Sequence, residues 1–559
     1  MYQYTKNNAK KTNKWLKVTA WVVGIALVLF LGLFIFTFWL EGKIERMVAD
    51  QSKGVYKLQV FGLSTSPFVG SLSVDSLSLK PDYDRWNELS SQGSNVSRTL
   101  VEFQTGSVAI RKLSYFKVLF NNSVQLDEIV VQQPKLLMTV MRQDTTESHV
   151  PMHQTAKGFL KGLSIGKISV SRARLRYRSK VEAGTDTVFA LKQFNLGVTD
   201  FILDSTSFND PTRAYYAKKY EFTAQGARYI LSDGLHEATS DSIAVSTASG
   251  TVVASGIKFT PLVDQAALSK VKGKAATHQK VEVKKVSISG VAFAEHSRTN
   301  SLKAKHLLLQ TPSLIAFKNK KDFQDEENKP TPHEIVQGIK PRFLLDTLEI
   351  QNGYIRYEEL APAATERGHI TFHKVSSTIA NVSNIPEHMT NENPAVVKVS
   401  TMVMDRAKVE VTIRIPLLNK DGYHTLSGTV GGANLQVLNP ILVPTAFVKI
   451  ASGVVSSGKF NAELNNTSAN GSMMLLYNNL KIELLNKGSG GQQGLGKEVL
   501  SFLANKVAIK SSNPSEGEQP RTGNITVTRD PQKSIFNYWK SCLVSGGLSS
   551  MGLNNMAKQ

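Results

Sequence analysis

The sequence predicts a mainly β chain behind one N-terminal transmembrane helix, with a few short helices near the C-terminus. Three observations carry the prediction. A long uncharged apolar run lies near the start, apolar residues recur at every second position through most of the rest, and the spacing turns helical in the last quarter.

The apolar run spans residues 18–40, VTAWVVGIALVLFLGLFIFTFWL, 23 residues without a charge. At about 1.5 Å per residue, a helix of that length crosses a hydrocarbon layer of about 30 Å. Trp21 and Trp39 stand near its ends, where interfacial aromatics are favoured, and are the expected membrane anchors. Lys6, Lys10, Lys11, Lys14 and Lys17 precede it with no acidic residue, whereas Glu41, Lys43, Glu45 and Arg46 behind it balance. The positive-inside bias keeps a basic tail, 1–17, in the cytoplasm and exports 41–559. A cleaved signal peptide has a shorter apolar region ending in small residues. This run ends in Phe38-Trp39-Leu40-Glu41, which favours an uncleaved single-pass anchor.

The chain has 559 residues, too many for one ordinary core, so several domains or one extended array are expected. Its 41% hydrophobic and 20% charged content is that of a folded chain. The net charge of +21 favours anionic partners such as lipid headgroups, nucleic acid or acidic glycans, although solubility of a large surface also accounts for it. Cys542 is the only cysteine, which excludes an intramolecular disulfide and a cysteine-based zinc site.

Strand-like alternation starts near Tyr56. Leu72 and Val74 lead, after a phase change, to Leu77 and Leu79, and Val281, Val283, Val286 and Ile288 have the same character. So do Leu475, Tyr477, Leu480, Ile482 and Leu484. Polar stretches at 81–97, 143–156, 319–333 and 487–496 read as separators.

One device recurs. In LDTLEIQNGYIRYE, Leu348 and Ile350 are followed five residues on by Ile355 and Tyr357. The same odd step separates Ile129 and Val131 from Leu136, and Ile168 and Val170 from Leu175. It also separates Val286 and Ile288 from Phe293, although Glu295 breaks the last position. An odd step throws the second pair to the other face of a flat strand, so a bulge or tight corner is expected at each middle, restoring one apolar face. The spacing between copies is irregular, which excludes a solenoid of equal repeats. These thirteen residues are the candidate lining of an apolar surface.

The last quarter changes. Residues 437–451, with Pro440 and Pro444, read as a short helix or kinked segment packed on the sheet. Residues 458–486 and 523–529 alternate as strands, and 498–510 has helical spacing. Residues 534–553 place Ile535, Trp539 and Leu543 on one helix face, interrupted by Gly546-Gly547. Such a helix either caps a core or lies on a membrane, with Trp539 as the candidate membrane contact.

No catalytic signature is present: no glycine-rich phosphate loop, no GxSxG and no HExxH. His149 and His153 are four apart, but Pro151 between them and the polar context favour a surface loop over a metal site. Asp204, Asp210 and Asp241 suit turns, and the pairs Glu326-Glu327 and Glu358-Glu359 do not define a catalytic carboxylate spacing. Basic residues do not interleave with aromatics as nucleic-acid modules require. Arg172, Arg174, Arg176 and Arg178 alternate along one strand opposite Leu175 and Tyr177. This stripe reads either as a solvated strand face or, for Arg172, Arg174 and Arg176, as a contact for phosphate headgroups.

The anchor, GSLSVDSLSLKPD (70–82), the strand end IRYEE (355–359) and the run from LNPILVPTAFVKIASG to LLYNNLKIELLNK (438–487) together resemble AsmA-like proteins of Gram-negative bacteria. KEVLSFLANKVAIKSSNP and RTGNITVTRDPQKSIFNYWKS are similar to the C-terminal end of Bacteroidota-type members. The likeness is good over the anchor and 433–541 and loose between, so 41–432 and 433–559 are expected as two AsmA-like regions. The resemblance, which extends to TamB and bridge-like lipid-transfer proteins, implies an elongated curved β-sheet groove anchored in the bacterial inner membrane, the bulk periplasmic. It implies phospholipid as the partner, with lipid transport or outer-membrane homeostasis as the role, further envelope proteins as candidate partners, and no nucleic acid, no cofactor and no catalysis. The alternatives are an envelope scaffold whose β core is filled by its own side chains, and an anchored hydrolase, for which the sequence offers no support.

Overall fold

In the computed structural model, the structure describes residues 41–485 and 509–553, apart from 67–68, 95, 115–116, 118–120, 122, 142–150, 157–161, 180–187 and 324–326. The expected span 18–40 with Trp21 and Trp39, the loop 487–496 and nearly all of the expected helix 498–510 lie outside the described residues. Among the described residues, no helix is long and apolar enough to cross a membrane. The fold is mainly β. The chain divides into two compact units, 1–220 and 221–559.

In the first unit, a helix over 41–51 leads into β1 (Tyr56–Phe61) and β2 (Ser64–Ser66). β3 (Ser71–Val74) and β4 (Ser76–Pro81) precede α1 (Tyr83–Ser91), where Asp82 caps the helix by accepting the Arg85 N–H. That helix occupies a stretch read as a separator, and it buries Trp86 and Leu89. β5 (Thr99–Thr105), β6 (Ser107–Arg111), β7 (Ser123–Gln132) and β8 (Lys135–Val140) follow. After α2 (Met152–Ala156) come β9 (Gly162–Ser179), β10 (Phe189–Leu203) and α3 (Ser205–Asn209). The first eight strands are four long strands, each broken once. On one side of the break β1, β4, β5 and β8 pair in that order; on the other β2, β3, β6 and β7 do. β9 joins the halves, running parallel to β7 and then to β8, and antiparallel to β10.

The second unit takes β11 (Ala217–Ile230) from Glu221 on, then β12 (His236–Ser246), β13 (Thr251–Pro261) and α4 (Gln265–Lys272). β14 (Thr277–Ser289), α5 (Phe293–Thr299), β15 (Leu302–Asn319) and α6 (Pro332–Gln337) follow. Next are β16 (Phe343–Leu360), β17 (Gly368–Ser383), β18 (Ala395–Val403), β19 (Ala407–Ile415) and β20 (His424–Val430). The chain ends with β21 (Ala433–Asn434), a 3-10 turn, α7 (Asn439–Ala446), β22 (Val448–Leu464), β23 (Ser468–Leu484), β24 (Thr522–Thr528) and α8 (Ile535–Ser550). Consecutive strands from β11 to β20 are neighbours, and β22, β23 and β24 continue the sheet. All pairs are antiparallel except β15–β16, whose connection carries α6, as a parallel crossover requires.

The largest core lies under α8, where Ile413, Leu426, Phe460, Ala462, Met473 and Ile525 of the sheet meet Ile535, Tyr538 and Cys542. α8 runs without a break through Gly546-Gly547, contrary to the expected interruption. The reason is close packing. A Cβ on Gly546 would lie 2.6 Å from Met473 Cβ and 2.8 Å from Ile525 Cγ1, and one on Gly523 would lie 2.6 Å from the Gly546 carbonyl oxygen. The glycines let helix and strand approach, and a packed helix tolerates them.

Candidate functional site

The odd steps mark a line of breaks crossing each sheet. In the first unit Gly62, Gln133 and Arg172 have positive φ; in the second Gly226, Gly256, Thr311, Asn352 and Lys374 do. Register shifts accompany the breaks between β9 and β10 and between β16 and β17, the latter around Gly353. A residue in the left-handed region turns the strand so that apolar positions an odd number apart meet the same side.

Cross-strand pairing shows what the breaks align. In the first unit, Leu58, Leu79, Phe103, Leu136, Leu175 and Leu191 form one unbroken ladder. Across the break, Leu72, Ile110, Ile129, Ile168 and Val198 form another, and Val74, Val108, Val131, Val170 and Leu196 a third. In the second unit Val252, Ile288, Leu307, Leu348, Ile379 and Val397 are one ladder, with Val286, Leu309 and Ile350 beside it. Beyond the break, Phe259, Val281, Leu314, Ile355 and Phe372 are aligned, and Ala316, Tyr357 and Ile370 lie next to them.

The fourth expected copy is corrected. Gly290, at φ 68, ends β14 instead of kinking it, and Phe293 begins α5. Phe293 is therefore not on the ladder. The true break in β14 is at Lys284-Lys285, both exposed, opposite Gly256. The step of three from Val283 to Val286 was its signal.

The other twelve candidates, Ile129, Val131, Leu136, Ile168, Val170, Leu175, Val286, Ile288, Leu348, Ile350, Ile355 and Tyr357, are all half-buried. None joins a buried cluster. The same ladders behave differently at their C-terminal end. The Leu348 ladder continues through Val397 into Ile413, Leu426 and Ala462, which are 4%, 3% and 3% exposed beneath α8. The opposite face is polar: Gln225, Ser242, Ser255, Lys285, Gln310 and Gln351 form a ladder of their own.

The arginine stripe lies on the polar face. Arg174 continues the ladder Gln59, Ser78, Gln104 and Lys135, one position from the leucine ladder. Arg172, Arg174 and Arg176 are exposed, and the Arg172 N–H donates to Asn195 Oδ1 at 2.9 Å. Arg174 and Arg176 therefore lie on the side of the sheet opposite the leucine ladder.

Trp539 faces inward. Its Nε1–H donates to His424 Nε2 at 3.0 Å, and its ring meets His424 edge-on. The exposed stripe of α8 is Phe536, Lys540 and Val544. His153 is buried, with Nδ1 2.9 Å from the Tyr216 hydroxyl and Phe208 beside it, not on a surface loop. Asp204 caps α3 and Asp210 accepts from Thr212, both turn roles. Sequence reasoning missed Glu359, which bonds Lys320 and Tyr357 at the end of β16, because adjacency to Glu358 hid that alternation puts the two on opposite faces. Against known proteins, the chain matches no family model and no curated protein.

Proposed function

We propose that this is an inner-membrane-anchored periplasmic protein that holds phospholipid acyl chains on its apolar ladders and assists lipid transport or outer-membrane homeostasis, without catalysing a reaction. The observation that carries the reading is that the twelve half-buried candidate residues on the ladders join no buried cluster. Seven strands, β11–β17, at about 4.8 Å each give a surface about 30 Å wide, which accommodates chains from one leaflet, half of a layer about 30 Å thick. Each methylene taken off water contributes about 0.8 kcal/mol. The breaks serve this role by keeping both halves of each long strand apolar on one side, while the polar face stays wet. The AsmA-like resemblance and the run 18–40 support the same reading. The test is extraction: the full chain purified in detergent should carry phospholipid, identified by mass spectrometry after solvent extraction, in amounts above a detergent-matched control protein. Lipid at control level would refute it. The scaffold reading draws on the covered core beneath α8 and predicts that lipid-free outcome.

A further inference from the structure

One half of the first unit's polar side is strongly basic. Lys57 stands directly opposite Lys80 across β1 and β4, and Lys135 opposite Arg174 across β8 and β9. Arg176 and Lys192 join them, because each of the six is next in sequence to a leucine of the leucine ladder and so faces the other side. All six are exposed, and none is ion-paired among the described residues. Glu102 is the one carboxylate aligned with them. In α1, which packs on nearby Leu100, Asp82 caps the helix and Glu88 holds Arg85. Across the break the same side carries its own counter-charge, Glu128, which takes Arg111 at 2.9 Å and Lys167 at 3.2 Å. Like charges directly opposite each other destabilise a sheet, so the two cationic pairs carry a cost that an anion on this side relieves. The patch crosses six neighbouring strands, about 24 Å, and extends about 7 Å along them.

We infer that this basic face docks on the anionic headgroups of the bilayer that holds the run 18–40. This rests on the proposed membrane anchor. The helix over 41–51 follows that run directly, and the Val60 N–H of β1 donates to Glu45 Oε1 at 2.9 Å. Lys57 is three strand residues from Val60, and Glu45 is about one turn from Glu41, so the patch begins within about 25 Å of the end of the run. An anionic leaflet attracts cations only within about a Debye length, about 10 Å, so a broad array gains most by lying along it. The residues aligned with the six cations include no aromatic, which leaves no platform for the stacked bases of a nucleic acid. Docking turns the leucine side of this unit away from the bilayer.

The test places a fluorophore at Gln104→Cys, an exposed position aligned with Lys135; Cys542 is fully buried, so labelling is selective. The full chain is reconstituted in nanodiscs of phosphatidylcholine, alone or mixed with phosphatidylglycerol, that contain a lipid with a quencher on its headgroup. Quenching should appear in the phosphatidylglycerol discs and vanish at high salt. Lys135→Gln with Arg174→Gln and Arg176→Gln should weaken docking roughly a hundredfold, about fivefold for each cation. That variant should melt at or above wild type, because it removes the repulsion between β8 and β9. Equal quenching in both kinds of disc, or quenching indifferent to salt, overturns the docking while the anchor stands. Quenching by neither disc, with polyglutamate bound instead, makes the patch a site for an acidic protein and overturns the membrane assignment. A chain that does not enter the discs refutes the anchor itself.

Discussion

Acidification should loosen α8 from its sheet. His424, at the start of β20, is 3% exposed. Its Nδ1 lies 2.8 Å from the Gly422 carbonyl, and its Nε2 accepts from the Trp539 indole. Both nitrogens are committed to the neutral ring, because a second proton would set a donor against the indole N–H. Burial pushes its pKa down to about 4, with repulsion from His333 and Arg529 adding to this and the Gly422 carbonyl opposing it. His333, 5.8 Å away between ring centres, is lowered too, mainly by burial, and its Nδ1 is buried without a partner. An unfolded histidine titrates near 6.5. Since the folded pKa is the lower one, the unfolded chain binds more protons between the two, and stability is full above about pH 6.5 and falls as pH drops through about 4. Between about pH 7 and about pH 4.5, His424 alone removes about 2 kcal/mol, a roughly fiftyfold larger open population. Cys542 reports the opening. It is fully buried under α8, and burial pushes its thiol up to about 12. Labelling by a dithiodipyridine, which reacts at acid pH, should accelerate by about that factor relative to the urea-unfolded chain, and His424→Gln should flatten the dependence. Equal relative rates at both pH values would refute the reasoning.

Three further perturbations separate covered from open surface and test the breaks. Phe460→Ala, at a side chain 1% exposed in the core under α8, should cost about 3–5 kcal/mol, while Ile350→Ala on the half-buried part of the same sheet should cost about 1 kcal/mol, both read from denaturant unfolding. Gly546→Val forces a Cβ against Met473 and Ile525 and should destabilise by about 1–3 kcal/mol, seen as a lower melting temperature. Asn352, at φ 52, should lose about 1 kcal/mol on replacement by Ala and nothing on replacement by Gly, because only the alanine pays for the left-handed conformation.

The β class and the line of breaks were legible in the sequence because alternation and its odd steps record which side of a strand is apolar. Gln133, Arg172 and Asn352 sit at the middles of the three odd steps whose breaks lie where expected; Asn352-Gly353 and the Pro134 after Gln133 are turn residues, and only Arg172-Ala173 carries none. The Gly290 copy misled because a glycine at a strand end and one at a strand break read alike, while the real break at Lys284-Lys285 is two ordinary lysines. The closed core under α8 was hidden for another reason. Ile413 and Leu426 alternate like Ile288 and Leu348, and only the helix that covers them makes the difference. Glu359 pairs with Lys320, which lies on a different strand connection, and no local pattern joins them.

The central claim, an apolar sheet face filled by lipid and not by protein, is tested most directly at Ile350. The full chain carrying Ile350→Asp is purified beside wild type, and bound phospholipid per protein is measured together with circular dichroism and the melting temperature. The account predicts a folded variant that melts close to wild type and has lost most of its lipid. A variant that unfolds, or one that folds and keeps its full complement of lipid, would contradict it.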